Sequence, residues 1–185
     1  MIMKTNHKEN YMLTQELIAF REKLVRDHFE DEVKQDWNSL LSTFPHPHYE
    51  LIATGAMHDG RDDVMNYHMS ARTAFPNQHH ELISLRHTDD AVICEFWLIG
   101  THKGYLGSMP PTGNTFRVQV CAFFLFEGEI LVCERIYFDT LSIVKQLLKG
   151  FDLKSPSGIY RGYKTVTGLL ANLKDLSKVT KGPVK

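Results

Sequence analysis

The stretch AVICEFWLIGT, Ala91 to Thr101, reads as one long strand that is apolar on both faces. Side chains of a strand alternate, so Val92, Cys94, Phe96 and Leu98 share one face and Ile93, Trp97 and Ile99 the other. A sheet apolar on both sides has to cover both. Helices can take one face; a pocket, a partner subunit or both can take the other.

The chain on either side supplies what this strand needs. Glu81 to His87 forms a strand that turns at Thr88-Asp89-Asp90, and Phe116 to Phe126 and Ile130 to Asp139 pair through a Glu127-Gly128 hairpin turn. Upstream the period changes from two to helical. Leu13, Leu17, Phe20, Leu24 and His28 mark a first helix, and Val33, Trp37, Leu40, Leu41 and Phe44 a second that stops at Pro45. Tyr49 to Thr54 is a short strand. Asp59 is the expected N-cap of a third helix carrying Val64, Tyr67, His68, Ala71 and Phe75. Leu141 to Leu148 is a last short helix. Helices first and antiparallel strands after them make an α+β domain, with helices covering one face of a bent sheet. Residues 13–149 form that domain. Residues 1–12 are expected to be a flexible N-terminus, and residues 150–185 a C-terminal extension with a short helix over Val166 to Leu176.

Composition narrows the class. With 185 residues, 43% hydrophobic, the chain can bury a core without staples, and a net charge of −1 argues against nucleic acid or an anionic membrane as partner. No run is long and apolar enough to span a bilayer, and the start lacks a signal-peptide core. Cys94, Cys121 and Cys133 sit in apolar runs with no CxxC pair, as buried hydrophobes do, so a reducing cytoplasm is the expected location.

Few residues invite chemistry. The segment GTHKGYLGSMPPTGNTF, Gly100 to Phe116, is too glycine-rich for regular strand and matches no phosphate-binding pattern. It is either a long bulged hairpin or a ligand-contacting loop. His102 within it could line a pocket mouth and move a proton, or pin the loop. Asp139 ends a strand on the same face as Cys133, Arg135 and Tyr137. In an apolar cavity such a carboxyl is a general acid and base; before Thr140-Leu141-Ser142 it is equally a helix N-cap, and Arg135 could keep it ionised. Glu95 is expected to pair with Arg117 across the sheet. His46, His48, His79 and His80 are read as surface and loop histidines, and no metal site is expected.

Together GTHKG (100–104), PTG (111–113), the acidic-Gly turn at 127–128, the strand ending in Asp139 and the Gln146-Leu147 helix resemble the SnoaL-like polyketide cyclases. The upstream helix running into Ala74-Phe75-Pro76 resembles the family's AFPD turn, with Asn77 in place of Asp. The resemblance covers residues 13–148. It implies the nuclear transport factor two-like fold: a cone-shaped α+β barrel of strongly curved, mostly antiparallel sheet wrapped on N-terminal helices, enclosing a pocket and dimeric through the sheet. It further implies cofactor-free cyclisation or isomerisation of a small hydrophobic carbonyl compound. Asp139 would be the acid/base and His102 its partner. Arg135, Tyr137, Phe96, Trp97, Tyr67 and Phe116 are the expected substrate-binding side chains. A noncatalytic ligand-binding or dimerisation module of the same fold is the alternative.

Overall fold

The computed structural model describes residues 13–150 and 154–179; the N-terminal stretch 1–12 lies outside them. Thr14 opens α1 (Gln15–Lys34) by accepting the Leu17 N–H at 3.2 Å, and Gln35 ends it in the left-handed region at φ 60°. Helix α1 therefore absorbs Val33, which the sequence pattern assigned to the next helix. Asp36 then caps the six-residue α2 (Trp37–Ser42). Two short strands follow, β1 (His48–Leu51) and β2 (Ala56–Asp59), where one was expected. Asp59 is not the cap of α3 (Arg61–Ala74). Gly60 holds that position at φ 85°, leaving the Asp59 carboxylate to bind His46 and His48.

The rest is sheet: β3 (His79–His87), β4 (Ala91–Thr101), β5 (Thr115–Glu127) and β6 (Ile130–Phe138), then α4 (Thr140–Leu147). Strand order is β2-β1-β6-β5-β4-β3. Only β1 and β6 run parallel, over three register positions from Tyr49–Glu134 to Leu51–Ile136. Register shifts at Leu82/Ser84 and Leu125/Phe126 help curl the sheet strongly around α1. The end strands β2 and β3 do not meet, so the strongly curved, mostly antiparallel sheet expected is an open curl wrapped on the N-terminal helices.

The register sorts the two apolar faces. Val92, Cys94, Phe96, Val118, Val120, Ala122 and Phe124 turn inward to a core shared with Val25, Leu40, Phe44 and Val64 from the helices. Arg21 on α1 is fully buried; its guanidinium donates to the carbonyls of Gly128 and Asp89, tying two hairpin turns to one helix.

The C-terminal extension differs from expectation. Helix α5 (Pro156–Val179) has 24 residues and takes in all but the first residue of the stretch SPSGIYRGY that reads as loop. Gly168 serves close packing: a Cβ there would stand 2.5 Å from the Ser108 carbonyl oxygen and 2.6 Å from the Met109 Cα. Among the described residues no helix is long and apolar enough to cross a membrane.

Candidate functional site

Strand parity decides which residues of β6 face the helices. Cys133, Arg135 and Tyr137 oppose Leu125, Phe123 and Cys121 on the outer face, while Glu134, Ile136 and Phe138 oppose Phe124, Ala122 and Val120 on the inner one. Of the expected site residues, Asp139, Arg135 and Tyr137 fall on the outer side of this division. Asp139 is exposed and its Oδ1 accepts the Ser142 N–H at 3.0 Å, capping α4. It borders an outer groove of about 550 Å³ with Arg86, Glu95, Cys121 and Tyr137. Arg135 pairs with Glu50, not with Asp139. Trp97 also faces outward, under the Arg117 guanidinium at 3.8 Å. Arg117 bonds Glu81 at 2.8 Å and not Glu95, which sits near Ser84, Gln119 and Arg86 instead.

His102 lies elsewhere again. It is fully buried against Phe75, and its Nδ1 accepts the Thr112 N–H at 3.2 Å, so it pins the Gly100–Phe116 loop. Burial lowers its pKa, partly opposed by the Gly104 backbone acting as acceptor. Phe116 packs on the same Phe75 ring as core. Of the expected residues only Phe96 and Tyr67 reach the interior polar groups, through contacts with His80 and with Tyr49 and His68.

Those interior groups were not singled out from sequence. His28 of α1 is fully buried. Its Nδ1 lies 3.1 Å from Thr43 Oγ1, and that hydroxyl already donates to the Leu40 carbonyl, so Nδ1–H is the donor. Its Nε2 stands 3.0 Å from the Tyr49 hydroxyl and 3.3 Å from Glu134 Oε2. Three buried polar groups therefore meet at that nitrogen. Desolvation, then Glu134 and Glu32, push the Tyr49 phenol well above its usual range.

A second set stands nearer solvent. His80, read above as a surface histidine, turns inward and its side chain is 8% exposed; its Nε2 lies 3.4 Å from Glu32 Oε2. Arg72 donates to the Glu32 backbone carbonyl at 2.7 Å and lies 3.7 Å from its carboxylate. Burial works against the Glu32 charge, yet His80, His68, Arg72 and His28 together hold its pKa below the ordinary value. Burial lowers the His80 pKa, with Glu32 opposing, so the ring is held toward its neutral form. His80 also lines an open groove of about 450 Å³ between α1 and the β3–β4 strands, walled by Phe29, Val33, Leu82 and Phe96 and rimmed by Arg26 and Lys34. The Phe29 ring packs on both His80 and Phe124, and Phe124 on His28, so aromatic rings stand between the groove and the His28 set. Sequence signals existed: His28 continues the apolar stripe of α1, and Glu134 shares parity with Ile136 and Phe138.

The model of the SnoaL-like polyketide cyclases matches residues 23–147. The chain belongs to that family. Every element that forms the groove lies largely within the matched span. No curated protein matches the chain. Among solved structures, a presumed SnoaL-like polyketide cyclase from Jannaschia sp. CCS1 superposes with TM-score 0.68 at 14% identity, over 76% of this chain and 99% of that one. IdmH, a presumed polyketide cyclase from Streptomyces antibioticus, gives 0.60 at 19%, over 69% and 97%. A protein of ketosteroid isomerase-like fold from Catenulispora acidiphila gives 0.59 at 20%, over 67% and 91%. At these identities the likeness establishes the fold, and α5 lies beyond the family match.

Proposed function

We propose that this SnoaL-like protein is a cofactor-free acid/base catalyst that cyclises or isomerises a small hydrophobic carbonyl compound bound in the groove beside His80. The observation that carries the proposal is the His80–Glu32 pair in the groove wall. Glu32 Oε2 lies 3.4 Å from His80 Nε2, and the buried Nδ1 has no hydrogen-bond partner. A histidine beside a carboxylate at the wall of an apolar groove is the kind of base that can remove a proton from carbon next to a carbonyl. Phe29 and Phe96, both in ring contact with His80, supply apolar surface to hold and desolvate the substrate. This assignment moves the acid/base role from Asp139, which caps α4, and His102, which pins a loop, to His80 and Glu32.

Deuterium exchange at the α-carbon of propiophenone in D₂O tests the chemistry without knowledge of the natural substrate. Catalysed exchange that falls at least ~100-fold in His80→Gln, with the fold intact, supports the reading. Exchange unaltered by His80→Gln and Glu32→Gln overturns it. The aromatic filling between groove and interior favours the alternative, a noncatalytic binder; saturable ketone binding with no exchange would establish that one.

We propose in addition that the chain is a homodimer through its outer sheet face. Half-exposed Tyr137, Phe123 and Trp97 give apolar surface, and Glu81, Glu95, Arg86 and Arg117 give the balanced charge that a self-complementary interface needs. A cytoplasmic location belongs to the same proposal and rests on three cysteines, none of them in a disulfide.

A further inference from the structure

The histidine, carboxylate and cysteine at the parallel β1–β6 junction form a set that the groove chemistry does not use. His48 and Glu50 are alternate residues of β1 and so project from one face. Cys133 of β6 projects from the same face, beside them. One ligand-capable atom from each residue lies within 4.8 Å of the other two. We propose that His48, Glu50 and Cys133 bind a divalent transition-metal ion, Zn²⁺ by preference, as a clamp on the β2-β1-β6 edge of the sheet.

The donor set is the first reason. Imidazole nitrogen, thiolate sulfur and carboxylate oxygen suit zinc, whereas calcium and magnesium take oxygen alone. Tetrahedral zinc needs ligand separations of roughly 3.3–3.6 Å, given its bond lengths. His48 Nε2 and Glu50 Oε1 already stand 3.6 Å apart, and side-chain rotation brings in the sulfur. The second reason is orientation. Asp59 Oδ1 accepts from His48 Nδ1 at 2.8 Å, which leaves the Nε2 lone pair facing Glu50. A carboxylate behind a ligating histidine is the usual outer support of a zinc site. Arg135 holds the other oxygen of Glu50 in the same manner. The third reason is access. Cys133 is 6% exposed, but the His48 and Glu50 side chains are about a quarter exposed, so an ion has a path and water can fill the fourth position. The benefit is mechanical: β1 joins β6 over only three register positions, and a bound ion would tie β1 and β6 directly and β2 through Asp59.

Titration of the untagged full chain with Co²⁺, then displacement by Zn²⁺, tests this. The expected result is one Co²⁺ per chain with a thiolate-to-cobalt charge-transfer band. Cys133→Ser abolishes the band; Cys94→Ser and Cys121→Ser leave it. Asp59→Asn weakens binding by ~10–100-fold, and Zn²⁺ raises the melting temperature of the wild type progressively with the logarithm of its free concentration above Kd. Should Cys133→Ser fail to fold, His48→Gln and Glu50→Gln, both nearer the surface, must lose binding in its place. No saturable binding, a band that survives Cys133→Ser, or binding unchanged by both surface variants overturns the proposal.

Discussion

Oδ1 of Asp139 accepts the backbone N–H of Ser142 at 3.0 Å, so the residue that ends the long hairpin is the N-cap of the helix after it. A cap of this kind contributes to stability. Asp139→Ala is expected to lower unfolding free energy by about 1 kcal/mol, because one helix N–H loses its partner. Asp139→Asn keeps an acceptor and is expected to cost less than about 0.5 kcal/mol. Neither changes α-carbon exchange. Urea denaturation beside the exchange assay checks both halves; exchange lost in a folded Asp139→Asn variant would return this residue to the site.

The His28–Glu134 contact obeys a different rule. Both side chains are sealed from water, so removing one strands the other's polar atoms in the core. Glu134→Ala and His28→Ala are each expected to cost about 3–5 kcal/mol. The double variant should cost well under the sum, since neither partner is left to be stranded. A double-mutant cycle by denaturant melts measures this coupling, and strict additivity would show that the two groups do not interact.

Strand parity explains how much of this was legible. The elements, their α+β order and the two apolar faces of Ala91–Thr101 follow from periodicity of two and of 3.6, because burial imposes those periods directly. Which face of the sheet the helices cover does not follow. Cys133-Arg135-Tyr137 and Glu134-Ile136-Phe138 are both mixed sets, and a shift of one residue exchanges inside for outside. Asp139 was therefore expected to face the interior although it lies outside, and Glu134 was passed over. His80 and Glu32 lie 48 positions apart, and only tertiary packing brings them together. Helix α5 was underread because glycines that mark loops in isolation also mark positions where a helix sits on another backbone.

Stability should fall on acidification in two stages. Burial lowers the pKa of His68, His80 and His102 below the ordinary 6.5, so between that value and their folded-state pKa the unfolded chain binds protons that the folded one does not. Folding free energy is therefore unaffected by these groups above about pH 6.5 and declines below it. Glu32 adds a second loss as pH drops below 4.5, because its folded pKa is also depressed. Melting temperatures at pH 7.5, 6.0, 5.0 and 4.0 check the order. His80→Gln should flatten part of the first stage. If His80 is the base, exchange should follow the acid limb of the same histidine and level off above it.

The outer-face dimer predicts a concentration-dependent mass. Tyr137 is 41% exposed in the single chain and stands in edge contact with Phe123, in the middle of the face. Tyr137→Glu places a charge where two such faces would meet. Sedimentation equilibrium should give a dimer for the wild type and a monomer for the variant, with the far-ultraviolet spectrum unchanged. A monomeric wild type at high micromolar concentration would remove the dimer.

Gly168 gives the case where sign alone decides. In an exposed helix interior, replacing Gly by Ala stabilises by up to about 1 kcal/mol, because glycine has more backbone freedom to lose. At Gly168 the added methyl would meet the Ser108 carbonyl oxygen at 2.5 Å and the Met109 backbone nitrogen at 2.8 Å, and neither is the end of a flexible side chain. The helix or the loop must move, so Gly168→Ala is expected to destabilise. The Met109 N–H, bonded to the Leu106 carbonyl at 3.0 Å beneath the helix, is the local reporter. Its hydrogen exchange should quicken in the variant while β4 and β5 amides keep their protection. A variant more stable than wild type, with Met109 exchange unchanged, would mean that α5 does not rest on this loop in solution and that the extension is independent of the family domain.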